Sequence, residues 1–229
     1  FLRVFTQRCV SWDDMSTEIL TTETVRAHVR ERYGALARTD EAGCGCRATG
    51  CCGAAPGASY GEKLGYSAAE LAQVPADADL GLGCGNPLAL ASIRPAETIL
   101  DLGSGAGFDC FLAARQLAGT GHVIGVDMTA DMVTKARGIA ARGGYAQVEF
   151  RLGEIEALPV AADSVDLVMS NCVLNLSPEK PRVLAEAFRV LKPGGRLAIA
   201  DVVALRPLPA RWREQLDAIG ACVGGAALV

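Results

Sequence analysis

The chain has 229 residues, half of them apolar, which is enough for one full domain with a sizeable core and does not require two. Its net charge of −4 comes without a basic stretch, which argues against a nucleic-acid partner, and no apolar run approaches the ~20 residues that span a bilayer, so no membrane association is expected. The opening Phe1-Leu2-Arg3-Val4-Phe5 is too short and interrupted for a secretory signal, and nine cysteines in such a chain speak for thiol chemistry or metal ligation more than for a disulfide framework, so the expected compartment is the cytoplasm.

Residues 1–14 carry no helical or strand period and the first methionine is Met15, so residues 1–20 are read as a disordered or non-native segment. A helix is expected from Thr21 to about Arg38, where Val25, Val29, Tyr33 and Leu36 recur at helical spacing. Residues 40–60 are rich in Gly, Ala and Cys without a period and read as a loop. Within it Cys44, Cys46, Cys51 and Cys52 form a C-x-C-x4-C-C cluster, which does not match the C-x2-C spacing of structural zinc. Ser67, with Glu70 three residues on, forms a capping box that opens a short helix to about Gln73. Residues 21–95 are therefore expected to be a helical and loop extension of a main domain spanning 96–229.

From Glu97 onward, strands near 98–102, 122–127, 147–152, 165–170 and 195–203 alternate with helices near 107–118, 129–142 and 179–191, and a last helix lies near 209–221. This alternation specifies an α/β fold with a doubly wound, mostly parallel sheet and right-handed crossovers. Lys192-Pro193-Gly194-Gly195 reads as the turn that returns the preceding helix to the fifth strand, since Pro and Gly cannot continue a helix.

The stretch Ile99-Leu100-Asp101-Leu102-Gly103-Ser104-Gly105-Ala106-Gly107-Phe108-Asp109 joins a buried strand to a helix through three glycines. Glycine there admits positive φ and close approach of backbone to a ligand. The next strand, His122-Val123-Ile124-Gly125-Val126-Asp127, ends in a carboxylate at the spacing that reaches ribose hydroxyls in βαβ units, which favours a bound adenosine over an ordinary strand-to-helix turn. Gly107 and Phe108 depart from the dinucleotide pattern, which wants glycine three residues after Gly105, so NAD and FAD are disfavoured.

The segment resembles motif I of the S-adenosylmethionine-dependent methyltransferases with the Rossmann-like fold. The resemblance implies S-adenosylmethionine on Asp101, Gly103, Ser104, Gly105 and Gly107, with Asp127 and Met128 beside the ribose. Gly153-Glu154-Ile155-Glu156-Ala157-Leu158-Pro159 resembles the family's adenine loop, which implies Glu154 as acceptor from the adenine amino group with Ile155 alongside; Asn171, after the fourth strand, completes the implied cofactor set. The family's sheet ends with a sixth and an antiparallel seventh strand. Here they are expected to be missing, as in a chain truncated at its C-terminus, leaving the fifth strand as an apolar edge.

Three cysteines stand in distinctive contexts: Gly83-Cys84-Gly85-Asn86-Pro87, Ser170-Asn171-Cys172-Val173-Leu174-Asn175, and Ala221-Cys222-Val223-Gly224-Gly225. Cys172 falls at the carboxyl end of the fourth strand, where open α/β sheets bind ligands. In order and approximate spacing these contexts closely resemble the arsenite methyltransferases. The resemblance implies that Cys84, Cys172 and Cys222 hold trivalent arsenic as thiolates, that arsenite or its thiol conjugates are the substrate, and that thioredoxin or glutathione serves as thiol reductant. It further implies that Cys51 and Cys52 assist arsenic delivery. Soft arsenic selects sulfur, and a lone pair opposite three sulfurs needs alignment with a methyl donor rather than a general base. The scarcity of histidine, with only His28 and His122, fits that chemistry, and Cys110 reads as a small buried hydrophobe. A monomer is expected. The rival readings are a methyltransferase of a small organic acceptor, which leaves Cys84 and Cys222 without a role, and a non-catalytic arsenite-binding fragment.

Overall fold

The computed structural model describes residues 20–39 and 60–229, so the expectations for residues 1–19 and for Cys44, Cys46, Cys51 and Cys52 lie outside the described residues. Helix α1 spans Thr22–Arg38 and is opened by a reciprocal cap in which Thr21 and Thr24 each accept a backbone N–H from the other. Its apolar stripe buries Val25 and Val29, while Tyr33 and Leu36 are partly covered. The short helices α2 (Tyr60–Lys63), α3 (Ala68–Leu71) and α4 (Leu88–Ala91) follow. The Ser67–Glu70 capping box forms as expected, and the helix it opens stops at Leu71.

The α/β part contains β1 (Thr98–Leu102), α5 (Phe108–Gln116), β2 (His122–Asp127), α6 (Ala130–Gly143), β3 (Val148–Leu152), β4 (Val165–Asn171), α7 (Lys180–Val190) and β5 (Leu191–Ala200). The sheet order is β3-β2-β1-β4-β5, and every pairing is parallel. Such strands are covered on both faces, which is why β1 and β2 read as continuous apolar runs. One face buries Phe111, Met132 and Ile139 from α5 and α6, together with Tyr66 and Leu88 from the segment before β1. The other face buries Val183, Ala187 and Val190 of α7 against Leu100, Leu102 and Val168. Each such side chain contributes roughly 1.5–3 kcal/mol of transfer free energy.

Three boundaries differ from the sequence reading. The Lys192-Pro193-Gly194-Gly195 segment lies inside β5: Leu191 already pairs with Val165, and the next pair is Leu167 with Arg196, so the intervening residues bulge out of the ladder. Strand β5 ends at Ala200 instead of 203, because Asp201 turns its carboxylate back onto its neighbour's N–H at Val202 and onto Asn175. The expected helix near 209–221 is two pieces, α8 (Ala210–Arg213) and α9 (Leu216–Gly220), separated where Gln215 is extended. Two-residue strands β6 (Val203–Ala204) and β7 (Ala227–Leu228) pair with each other and not with the main sheet, so β5 is its outer strand, with Leu197 exposed. No helix among the described residues is long and apolar enough to cross a membrane.

The outer strand is tied inward by two ion pairs, Lys192 to Asp166 of β4 and Arg196 to Glu97. Arg196 of β5 donates to both carboxylate oxygens of Glu97, at 2.6 and 2.7 Å, and to the carbonyls of Ala91 and Ser92. This bidentate bond holds the Glu97 carboxyl below its ordinary value of 4.5. Replacing Glu97 by Ala leaves a partly exposed guanidinium that keeps the Ala91 and Ser92 carbonyls but loses its bidentate partner, and stability is expected to fall by about 2 kcal/mol at neutral pH. A carboxyl depressed in the folded state stabilises fully above its unfolded value and less as the pH drops through the folded one. The difference in urea midpoint between wild type and Glu97→Ala is therefore expected to be wide at neutral pH and to close in acid; a difference that persists unchanged in acid would refute the assignment.

Candidate active site

A cavity of about 460 Å³ opens at the carboxyl ends of β1, β2 and β4 and is covered by α1. Of the cofactor residues expected from sequence, Asp101, Gly103, Ser104, Gly105, Asp127, Met128, Ile155 and Asn171 line it, as do Cys84, Cys172 and Cys222. Gly103 turns the chain at φ 64°, and a Cβ there would collide with Val173. The buried Asp127 carboxylate accepts from the N–H of Gly105 at 2.9 Å and of Thr129 at 2.8 Å; burial raises its pKa and these two donors oppose the rise. Ser104 Oγ is buried and has no hydrogen-bond partner among the described residues, although its residue faces the cavity. A fixed carboxylate at Asp127 and open space at Gly105 suit a ribose-bearing ligand, while the Ser104 hydroxyl is packed against Gly125.

Two of the expected cofactor residues lie off the cavity wall. Gly107 is buried under aromatic rings at φ 95°, where a Cβ would overlap Phe150 and Phe111. Glu154 is drawn outward by α1, pairing with Arg30 at 3.2 Å and Arg26 at 3.6 Å. Its neighbours Ile155 and Glu156 line the cavity instead. Arg26 also meets Glu156 and Glu179, so three carboxylates converge on one guanidinium and fasten α1 over the opening.

The floor joins Asp101 and Asn171 of the expected set to Asp109 and Tyr66, which the sequence reading left unassigned. Asp109, in the first turn of α5, accepts from Tyr66 Oη at 2.5 Å and Asn171 Nδ2 at 3.0 Å. Burial raises its carboxyl to about 6 despite these donors. Asp101 is raised well above the carboxylate range by burial, then by the charge of Asp109, and accepts from the Cys110 thiol at 3.2 Å. Cys110 is thus a buried packing residue with a hydrogen-bonding thiol. An acid at the start of a glycine-led helix was the available signal for Asp109; Tyr66, far away in sequence, offered none.

The three sulfurs come from the loop before α4, the residue after β4 and the turn after α9, and all lie within 4.8 Å of one another. Cys84 and Cys172, 88 residues apart in sequence, are placed as a disulfide pair with Cα atoms 5.5 Å apart. Cys222 is a buried free thiol that donates to the Cys172 carbonyl at 3.0 Å. Its pKa is pushed up to about 12 by burial and next by the charge of Asp201, with Tyr33 and Arg32 opposing. Cys172 and Cys222 both have φ near +60°, uncommon for residues with a Cβ, and their surroundings hold them there. His122, at 3.5 Å from Glu149, and His28, at 3.4 Å from Asp217, lie off the cavity.

The Cys222 turn depends on a close approach, since a Cβ at Gly225 would overlap the Asn175 carbonyl. Gly225→Ala is expected to lift this turn and speed alkylation of the Cys222 thiol by roughly tenfold or more. The rate is read by iodoacetamide labelling and peptide mass mapping, and an unchanged rate would refute the dependence.

Residues 93–228 match the family described as methyltransferase domain. The chain is 53% identical over 213 residues to the arsenite methyltransferase of Halobacterium salinarum, covering 90% of this chain and 54% of that protein. It is 43% identical over 137 residues to the human arsenite methyltransferase, covering 56% and 36%. The crystal structure of an arsenic(III) S-adenosylmethionine methyltransferase from Chlamydomonas reinhardtii superposes with a TM-score of 0.61 at 40% identity, covering 69% of this chain and 56% of that one. The chain therefore spans about half the length of the curated relative it matches over most of its own residues. A match over residues 93–228, on a sheet ordered β3-β2-β1-β4-β5 with its cavity at the carboxyl ends, places this chain in the methyltransferase domain family with its Rossmann-like fold.

Proposed function

We propose that this chain is the part of an arsenite methyltransferase that binds both S-adenosylmethionine and arsenic. The observation that carries the reading is the convergence of Cys84, Cys172 and Cys222 within 4.8 Å on the wall of a cavity suited to an adenosine. Three thiols replace the three hydroxyls of arsenous acid with release of three waters, and the product keeps the arsenic lone pair on the side away from sulfur. Softness favours this set over any oxygen or nitrogen ligands nearby. S-adenosylmethionine, when bound, supplies a methyl group on a cationic sulfur. The residues fitted to hold it are Asp127 at the ribose, the Gly103–Gly105 backbone, Ser104, Met128 and Ile155, over the acidic floor of Asp101 and Asp109. What these groups contribute is position and exclusion of water, as α1 covers the cavity; beyond the three thiol protons that leave with the waters, the methyl transfer itself asks no side chain to move a proton.

The disulfide supports a thiol cycle. Arsenic that gains a methyl group on its lone pair is formally pentavalent, and a trivalent product then needs two electrons. The thiolates of Cys84 and Cys172 supply both by leaving as their disulfide, which is the bond seen here. Restoring the arsenic site takes two electrons and two protons from an external thiol of the thioredoxin or glutathione class.

Native mass spectrometry tests the arsenic site. Reduced wild type is expected to gain one arsenic per chain from arsenite, the oxidised form to gain less, and Cys172→Ser to lose the adduct. An adduct that survives unchanged in Cys172→Ser would move arsenic to the segment holding Cys44, Cys46, Cys51 and Cys52, and would favour the organic-acceptor reading. A second measurement separates the cofactor: Asp127→Ala is expected to weaken S-adenosylmethionine binding by roughly 10- to 100-fold by calorimetry, as loss of a charged hydrogen bond would, while the arsenic adduct stays intact.

A further inference from the structure

Asn171 lines the cavity, yet every polar atom of its side chain is engaged by the protein. Its Oδ1 accepts from the N–H of Cys84 at 3.0 Å and of Gly85 at 3.3 Å. Its Nδ2 donates to the Gly85 carbonyl at 2.9 Å, to Asp109 Oδ2 at 3.0 Å and to Tyr66 Oη at 3.2 Å. The opposite amide orientation would set donors against the two loop N–H groups, so this orientation alone fits the surroundings. On the loop side the approach is close enough that a Cβ on Gly83, at φ 105°, would stand 2.9–3.1 Å from the Asn171 amide atoms. The end of β4 thus presents one sulfur at residue 172 and grips the backbone that carries another at residue 171.

We propose that Asn171 is a positioning residue whose amide keeps Cys84 at the three-sulfur site when its disulfide to Cys172 is reduced. The proposal rests on the arsenic reading above. In the oxidised state the Cys84 loop is tied by a covalent bond, and that tie is absent in the state that must bind arsenic. Gly83 is also held through its carbonyl by Tyr60 Oη at 2.7 Å, and Asn86 by its own bond to the Gly65 carbonyl. Among the described residues, Asn171 is the side chain that takes the N–H groups of Cys84 and Gly85 themselves. Cys84 is exposed, in contrast to Cys172 and Cys222, so its thiol is held inward by arsenic and by the contacts of its loop, of which the Asn171 grip is the one on its own N–H.

Exposure of Cys84 makes it the reporter. Reduced protein is loaded with one equivalent of arsenite and treated with iodoacetamide; native mass spectrometry counts arsenic and peptide mapping locates the alkylated cysteine. Wild type is expected to retain one arsenic with Cys84 protected. Asn171→Ala, and independently Gly83→Ala, which disturbs the same contact from the loop side, are expected to hold arsenic more weakly than wild type, through the two buried sulfurs of Cys172 and Cys222 that Cys172→Ser would break up, while Cys84 is alkylated as fast as without arsenite. Variants that protect Cys84 as wild type does overturn the proposal. So do variants that melt as wild type but bind no arsenic, since Asn171 would then shape the other two sulfurs. Hydrogen exchange on reduced wild type requires no variant: the Cys84 and Gly85 amides are expected to exchange slowly, and exchange at the rate of free amides overturns the tether. Wild type that binds no arsenic while these amides stay slow would sink the arsenic reading and leave the tether standing.

Discussion

The site depends on a reversal in strand order. After β1 the chain moves outward in one direction through β2 and β3, then returns to the other side of β1 to lay down β4 and β5. Parallel strands joined by crossovers put all their carboxyl ends on one edge, and the reversal opens a crevice between β1 and β4 because the connections diverge there. The turn at 103–107 and the end of β2 at Asp127 approach this crevice from one side, and Asn171, Cys172 and the turn at Leu174–Leu176 from the other. Two segments from outside the sheet then close over it: the loop carrying Cys84, and the turn after α9 carrying Cys222.

The floor of that crevice is electrostatically costly. Asp101, Asp109 and Asp127 are all buried, and burial raises the pKa of each. The structure offsets the cost locally, with the Cys110 thiol on Asp101, Tyr66 and Asn171 on Asp109, and two backbone N–H groups on Asp127. Burial is the largest cause for each, with the charges of Asp109 and Asp127 added at Asp101, so a cationic ligand in the cavity would favour the ionised form of these groups. A methyl donor carried on a cationic sulfur is a ligand of that kind, which links the acidic floor to the proposed cofactor without any appeal to motif.

Sequence periodicity and turn chemistry were sufficient for the order of the α/β elements, since each strand and crossover helix is set by residues within a few positions of one another. The glycine turn and Asp127 were legible for the same reason, and they were found lining one cavity. Where partners are remote, the reading failed or was silent. Glu154 is displaced from the cavity wall by arginines of α1, more than a hundred positions away; Tyr66 reaches Asp109 across a loop; the bulge at Lys192–Gly195 exists because Leu191 finds a partner in Val165 that local propensity does not reveal. The cysteine contexts suggested three sulfurs in one place, but which two are bonded depends on redox state and three-dimensional distance, neither of which a linear pattern carries.

The sulfur cluster is defined by backbone more than by the bond it contains. Cys172 donates its N–H to the Ala200 carbonyl at 2.7 Å, extending the β4 and β5 ladder by one residue past the strand. Cys222 donates to the Ile219 carbonyl at 2.9 Å, and the turn behind it is wedged against Asn175 through a glycine. Cys84 donates to the side chain of Asn171 at 3.0 Å. Each cysteine is therefore anchored by an interaction that does not involve its sulfur, and two of them are held with positive φ that an unconstrained chain would relax. None of these three anchors runs through the disulfide, so none of them is broken by the loss of the sulfur–sulfur bond itself. Preorganisation of this kind is what separates a ligand site from three cysteines that merely happen to be near.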